Sequence, residues 1–294
     1  DLTIVRLSED CFRVICGGGT GHRDLVWIKQ MAAARHADIE IHNRTHQLAT
    51  LGLWGPNARK VLASLVDDPN AVSDAKFPFA TAANIEIAGI NIWAFRISYV
   101  GELGWELYFD FADGLQLWDL FADAGVNPVG IETYANSRRL EKSLRLQNAD
   151  LETDYNLHEA DLARKLVKKA DFHGKAAYVA QKAADQQASY LCTMVMLKNV
   201  DASGVARYPV GEWPILNKET REVLLDEFGR RSICTSVEYG PSLGSNIILG
   251  YIPAEFASVR TELLLEYFCE EYPIRIEAVG YAPLLDPENL RVRS

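Results

Sequence analysis

The segment Arg96-Ile97-Ser98-Tyr99-Val100-Gly101-Glu102-Leu103-Gly104-Trp105-Glu106-Leu107-Tyr108 holds the chain's most telling combination of residue types. It reads as a strand, a turn punctuated by two glycines, and a second strand. Gly101 and Gly104 let the backbone bend sharply, or let a flat ligand approach with no Cβ in the way. Tyr99 and Glu106 stand on the two arms of the turn. A carboxylate facing a buried cavity accepts two N–H donors from a heterocycle, as in an amino-pyrimidinone edge. A tyrosine beside it offers both a ring face and a hydroxyl. The same residues also suit a plain hairpin with Glu106 exposed and Tyr99 in the core.

Other groups are less pointed. His42 and His46 have the spacing of half a helical zinc site, but His42 ends a strand read over Asp38–His42 and His46 follows a turn, so no metal site is assigned. Arg138, Arg139 and Lys142 lie on one helix, where they suit a salt-bridged face with Glu132 and Glu141 better than an anion grip. Asp150, Glu152, Asp154 and Glu159 read as acidic residues of a surface loop. Gly17-Gly18-Gly19 reads as a loop, and no Gly-x-Gly-x-x-Gly fingerprint follows a strand.

The elements that position these residues fall into two textures. Residues 1–185 mix strands with amphipathic helices. Strands are expected at Leu2–Ile4, Phe12–Val14, Asp38–Ile41 and Leu48–Leu53, and a hairpin over 84–99 turns at Ala88-Gly89. Helices are expected over 22–34, after Gly55-Pro56, and over 112–124, 131–142 and 174–184. Residues 186–294 instead alternate apolar and polar positions through six runs: 190–197, 213–216, 233–237, 246–251, 263–268 and 274–279. That pattern predicts an α+β body followed by a separate antiparallel β-barrel domain.

The bulk numbers set bounds. With 294 residues the chain is long enough for two or three packed domains. A net charge of −10 argues against a nucleic-acid partner, which needs a basic face. No apolar run approaches the roughly 20 residues that cross a bilayer, so no membrane is assigned. Five scattered cysteines without a Cys-x-x-Cys pair suit reduced thiols in a cytosol-like compartment.

The glycine-turn segment resembles the signature of the glycine cleavage T-protein family, the tetrahydrofolate-dependent aminomethyltransferases. The likeness is strongest to the C-terminal half of dimethylglycine and sarcosine dehydrogenases and of dimethylglycine oxidase. It runs through Asp1-Leu2-Thr3-Ile4-Val5-Arg6-Leu7, Leu51-Gly52-Leu53-Trp54-Gly55-Pro56-Asn57-Ala58-Arg59 and Arg139-Leu140-Glu141-Lys142. It continues through Glu159-Ala160, Asp171-Phe172-His173-Gly174-Lys175 and Leu285-Asp286-Pro287-Glu288-Asn289.

The resemblance implies a T-protein-like multi-domain folate-binding fold. Tyr99 and Glu106 hold the pterin, and Asp1 matches the family's catalytic aspartate, electrostatic and basic in role. The function implied is acceptance of a one-carbon unit from an N-methyl amine by tetrahydrofolate, forming 5,10-methylenetetrahydrofolate. FAD would lie on an upstream domain or a separate subunit, in the cytoplasm or, in a eukaryote, the mitochondrial matrix. Alternatives are a stand-alone aminomethyl- or methyltransferase and a non-catalytic regulatory relative. The chain begins at Asp1 with a strand already under way, which implies more polypeptide upstream. At the position where the glycine-cleavage branch carries an arginine for the folate tail this chain has Ala135.

Overall fold

The computed structural model describes residues 2–184 and 186–294. Strands β1 (Leu2–Arg6) and β2 (Phe12–Cys16) form an antiparallel hairpin that leads into helix α1 (Gly21–Ala34). A four-stranded antiparallel sheet follows, in the order β3-β6-β5-β4, built from β3 (Leu48–Trp54), β4 (Ala82–Ile87), β5 (Ile90–Phe95) and β6 (Gly104–Asp110). Alternate side chains of its strands take the apolar core on one face. Ile92, Ala94, Trp105, Leu107 and Phe109 point into a core closed by Ala58 and Leu62 of helix α2 (Ala58–Leu65) and by Leu117 and Phe121 of helix α3 (Gly114–Asp123). The hairpin turn falls at Ala88 and Gly89, both at positive φ, which matches the twist of the flanking strands.

Next comes a π-helical segment, Thr133–Arg138, which runs into the single turn of α4 (Arg139–Glu141). Helix α5 spans Lys175–Lys182. Six strands then form one antiparallel sheet, in the order β8-β11-β12-β7-β10-β9. They are β7 (Ser189–Met196), β8 (Ile215–Leu216), β9 (Cys234–Gly240), β10 (Ser245–Pro253), β11 (Glu262–Tyr267) and β12 (Glu270–Val279).

The two outer strands of this sheet meet. Pro214 bridges Ile233, Cys234 N–H donates to the Trp213 carbonyl at 2.9 Å, and Ile215 N–H donates to the Ser232 carbonyl at 2.9 Å. The sheet therefore curls back on itself as the expected barrel, which removes its open edges. Cys192, Met194, Ile248, Leu263, Leu265, Ile274 and Ile276 fill the inside. On the outside, Leu191, Ile247, Leu249 and Tyr251 pack with Leu140 of α4.

Two expectations fail here. Asp38–Ile41 is irregular and not a strand, because no neighbouring strand meets it and Ile39 stays 58% exposed. Asp150 and Glu159 are not surface residues. Asp150 is fully buried against Arg139 at 2.5 Å, and Glu159 is buried against Arg230 at 2.5 Å. Both loop carboxylates reach the interior because an arginine neutralises each one, Arg139 eleven residues away and Arg230 seventy-one. Helix α6 (Leu290–Arg293) ends the chain against the first sheet. There Arg96, wholly buried, donates to the carbonyls of Arg293 at 3.1 Å and Ser294 at 2.8 Å.

Candidate functional site

The second face of the four-stranded sheet is built from the alternate residues that the core does not take. Register places Gly52 of β3 and Phe95 of β5 on either side of Glu106 in β6. Two residues on, Trp93 stands opposite Tyr108. Cross-strand neighbours lie roughly 5 Å apart, so these side chains form one continuous floor. Trp93 and Tyr108 meet at 5.2 Å between ring centroids, and Trp93 lies 5.9 Å from Phe95.

Glycines shape the floor at two points. A Cβ on Gly52 would fall 2.0 Å from Cη2 of Trp54, so the indole lies across Gly52, the cross-strand neighbour of Glu106. Trp54 is held there by donating from Nε1 to the Ile97 carbonyl at 3.0 Å. The turn glycines serve the backbone and not an approaching ligand. Gly101 adopts φ +75° with Lys142 packed over it, and a Cβ on Gly104 would fall 2.0 Å from the Leu53 carbonyl oxygen.

Tyr99 lies in the loop between β5 and β6, and the π-helical segment brings Tyr134 beside it. Their ring centroids are 5.4 Å apart, and Tyr134 stacks on Trp54 at 5.3 Å with 22° between planes. A π-turn inside a helix often marks a functional position. The Tyr99 hydroxyl donates to the Arg145 carbonyl at 2.8 Å, so it is committed to the backbone and only the ring face remains on offer. Burial pushes its phenol up to about 12.

Glu106 has one protein partner among the described residues. The Tyr108 hydroxyl donates to its Oε2, and no lysine or arginine pairs with it. Burial raises the Glu106 carboxyl above its ordinary value, against the opposing pull of the Tyr108 hydrogen bond. Burial also raises Tyr134, and the Glu106 charge raises it further. The result is a partly buried carboxylate with free acceptor capacity, bordered by flat aromatic rings.

The structure thus brings Tyr99 and Glu106 to one place, joined through Tyr134. Asp1 lies outside the described residues. The arginine-bearing helix face is committed to salt bridges. Arg138 pairs with Glu102 at 2.6 Å and Glu141 at 2.5 Å, Arg139 with Asp150, and Lys142 with Asp286 at 3.5 Å. Sequence reasoning missed Tyr108, Trp93, Trp54 and Tyr134. The period-two alternation of β6 could have found Tyr108, which must share a face with Glu106. No sequence signal marked Tyr134.

A groove of about 790 Å³ lies elsewhere, lined by Tyr155, Phe172, Tyr178, Gln181, Phe228 and Arg230. Its arginine is already paired. Arg230 donates to Asp226 at 2.6 Å, to Glu159 at 2.5 Å and to the Asp154 carbonyl. On the sheet face, by contrast, the Glu106 carboxylate has no ionic partner among the described residues.

Comparison with known proteins gives a consistent picture. The profile of the GCVT N-terminal domain matches residues 1–170, and that of the glycine cleavage T-protein C-terminal barrel domain matches residues 211–279. Human mitochondrial dimethylglycine dehydrogenase is 33% identical over 279 residues, which cover 93% of this chain and 30% of that enzyme. The rat enzyme is 34% identical over 299 residues, 100% of this chain and 32% of its own. The chain therefore spans about a third of these relatives. An aminomethyltransferase of Alkaliphilus metalliredigens is 27% identical over 90% of this chain and 67% of its own length. The crystal structure of the glycine cleavage system aminomethyltransferase T from Bartonella henselae shares the fold, with a TM-score of 0.76, 21% identity, and coverage of 96% of this chain and 72% of that one. With its first 170 residues matched as the T-protein N-terminal domain and its barrel matched as the T-protein C-terminal domain, the chain belongs to the glycine cleavage T-protein family.

Proposed function

We infer that this chain is the tetrahydrofolate-binding, one-carbon-transfer module of a demethylating amine oxidoreductase of the dimethylglycine or sarcosine dehydrogenase type. The observation that carries this reading is Glu106, a desolvated carboxylate with an aromatic border and no cationic partner among the described residues. The N–H donors of a pterin edge complete such a group, and flat rings suit its neighbours Tyr99, Tyr134 and Trp54. When bound, tetrahydrofolate supplies the nitrogen nucleophiles that take up the one-carbon unit, leaving as 5,10-methylenetetrahydrofolate.

The protein's own part is to orient and to balance charge. Glu106 fixes the heterocycle, the aromatic rings exclude water from its faces, and Tyr108 holds the carboxylate in place. Asp1 is the proposed electrostatic and basic group beside the cationic carbon. The one-carbon unit comes from oxidation of an N-methyl amine at a flavin site on another domain or chain. Identity to dimethylglycine dehydrogenases across 93–100% of this chain supports that arrangement. A second reading, a stand-alone aminomethyltransferase, draws support from the Alkaliphilus relative, two thirds of which this chain covers.

Titration of tetrahydrofolate into wild type and Glu106→Gln tests the site. Gln keeps the shape but loses charge-assisted acceptance, a loss of about 1.5–3 kcal/mol in binding. Equal affinities would sink the assignment. Asp1→Asn in the complete polypeptide is expected to leave folate binding intact while slowing methylenetetrahydrofolate formation, with formaldehyde released in its place. An unchanged rate of that product removes Asp1 from the catalytic role.

A further inference from the structure

The turn that carries Tyr99 at one end, with Glu106 just past the other, is held from behind by two cations. Lys142, at the C-terminal end of α4, is the only buried lysine among the described residues. Its alkyl stem lies over the Cα of Gly101, in the space that a Cβ there needs. Its Nζ donates to the carbonyls of Leu285 at 3.0 Å and Asp286 at 2.6 Å, and it stands 3.5 Å from the Asp286 carboxylate. The next turn residue, Glu102, accepts from Arg291 of α6 at 2.9 Å and from Arg138 at 2.6 Å. The Asp286 carboxylate also accepts from the Leu290 N–H at 3.0 Å and the Arg291 N–H at 3.2 Å, so the side chain that meets the lysine also starts α6. The Leu285 N–H donates back to the Glu141 carbonyl at 3.1 Å. Taking an ammonium out of water costs free energy that only good acceptors offset. An apolar side chain of similar length fills the same space without that cost, but makes no tie to Leu285 and Asp286.

We propose that Lys142 and Arg291 are positioning residues for the ligand grip: they fix the glycine turn against segment 285–291 and so set how the Tyr99 ring stands to the Glu106 carboxylate. Neither bonds to the grip itself. The Tyr99 hydroxyl goes to the Arg145 carbonyl, and Glu106 has only Tyr108 as a partner among the described residues. The two cations act through the backbone between. Gly101 sits at φ +75° with the lysine stem against it, so the turn cannot shift without displacing Lys142. A grip made of groups on either side of a turn is only as well placed as the turn. The inference rests on the folate reading for the ligand it names.

The experiment uses the complete polypeptide with tetrahydrofolate as probe, reading binding by calorimetry and the turn by hydrogen exchange. Lys142→Met keeps the stem and removes the ammonium. It is expected to weaken tetrahydrofolate binding roughly tenfold and to speed exchange at the Glu102–Trp105 amides. Arg291→Ala removes a half-exposed side chain at little risk to folding, and is expected to weaken binding roughly threefold. A merely structural role gives the same loss whatever grips the ligand. A positioning role makes Lys142→Met cost little more once Glu106→Gln has removed the charge being positioned. Additive losses in that double variant overturn the proposal, as do affinities of Lys142→Met and Arg291→Ala within about twofold of wild type. If Lys142→Met does not fold, Arg291→Ala decides alone, and an unchanged affinity there overturns the proposal. A wild type that binds no tetrahydrofolate brings down the folate reading by itself. The exchange measurement then judges the two cations, and unchanged exchange at the turn in both variants overturns their positioning role.

Discussion

Two regions of this molecule take carboxylates out of water and treat them in opposite ways. Where α4 meets the barrel, Asp150 accepts from Arg139 at 2.5 Å, from the Ser236 hydroxyl at 2.8 Å, from Thr235 at 2.5 Å and from the Leu146 N–H at 2.9 Å. Glu159 likewise accepts from Arg230 and from the Asn156 N–H at 2.8 Å. On the open sheet face, Glu106 has the Tyr108 hydroxyl and nothing else among the described residues. A carboxylate that serves structure is saturated by its own chain. Glu106 is desolvated yet short of donors, and we propose that it takes them from outside.

The contrast breaks most visibly at the saturated end. Arg139→Ala leaves Asp150 buried and uncompensated, and about 3–5 kcal/mol of stability is expected to go. Chemical denaturation reads this directly, and a loss below about 1 kcal/mol, the scale of an exposed pair, shows that water reaches the junction. Glu106 predicts the reverse. Its carboxyl is raised in the folded protein, so the folded state holds the proton more tightly than the unfolded chain. Its contribution is full below the ordinary carboxylate value and is lost as pH rises through the raised one. Glu106→Gln is therefore expected to be at least as stable as wild type at neutral pH, with the advantage vanishing in acid. Parallel melts across that range check it, and a variant less stable at neutral pH gives Glu106 a structural role. The smallest effect is at Tyr108→Phe, which removes one hydrogen bond worth about 0.5–1.5 kcal/mol. It is expected to raise the Glu106 carboxyl further, a shift measurable by NMR titration, because the hydroxyl favours the charged form.

Much of this was legible in the chain. The six barrel strands announced themselves by period-two alternation, since each has one face on the core inside the sheet. Glu106 and Tyr99 were singled out by the family resemblance of the glycine turn, since the residues alone also suited a plain hairpin. What escaped depends on contacts that only folding makes. Asp150 and Glu159 read as surface residues because Arg139 and Arg230 are brought to them only by folding. Ile39 and Ile41 imitate a strand, yet tertiary structure supplies no partner for them. Tyr134 was invisible because a π-turn is a change in backbone winding that leaves no mark in residue type.

The clasp at Arg96 has a consequence in time. This wholly buried guanidinium is shared among Asp74, the Phe77 carbonyl at 2.7 Å, and the carbonyls of Arg293 and Ser294. The first two acceptors are made before Arg96; the others are synthesised almost two hundred residues later. At about 5–20 residues per second, the ribosome leaves Arg96 with half of its partners for roughly 10–40 s. During that interval the first sheet can pair its strands but cannot seal around this charge. Its last step of consolidation waits on vectorial synthesis of the barrel and the segment that returns from it.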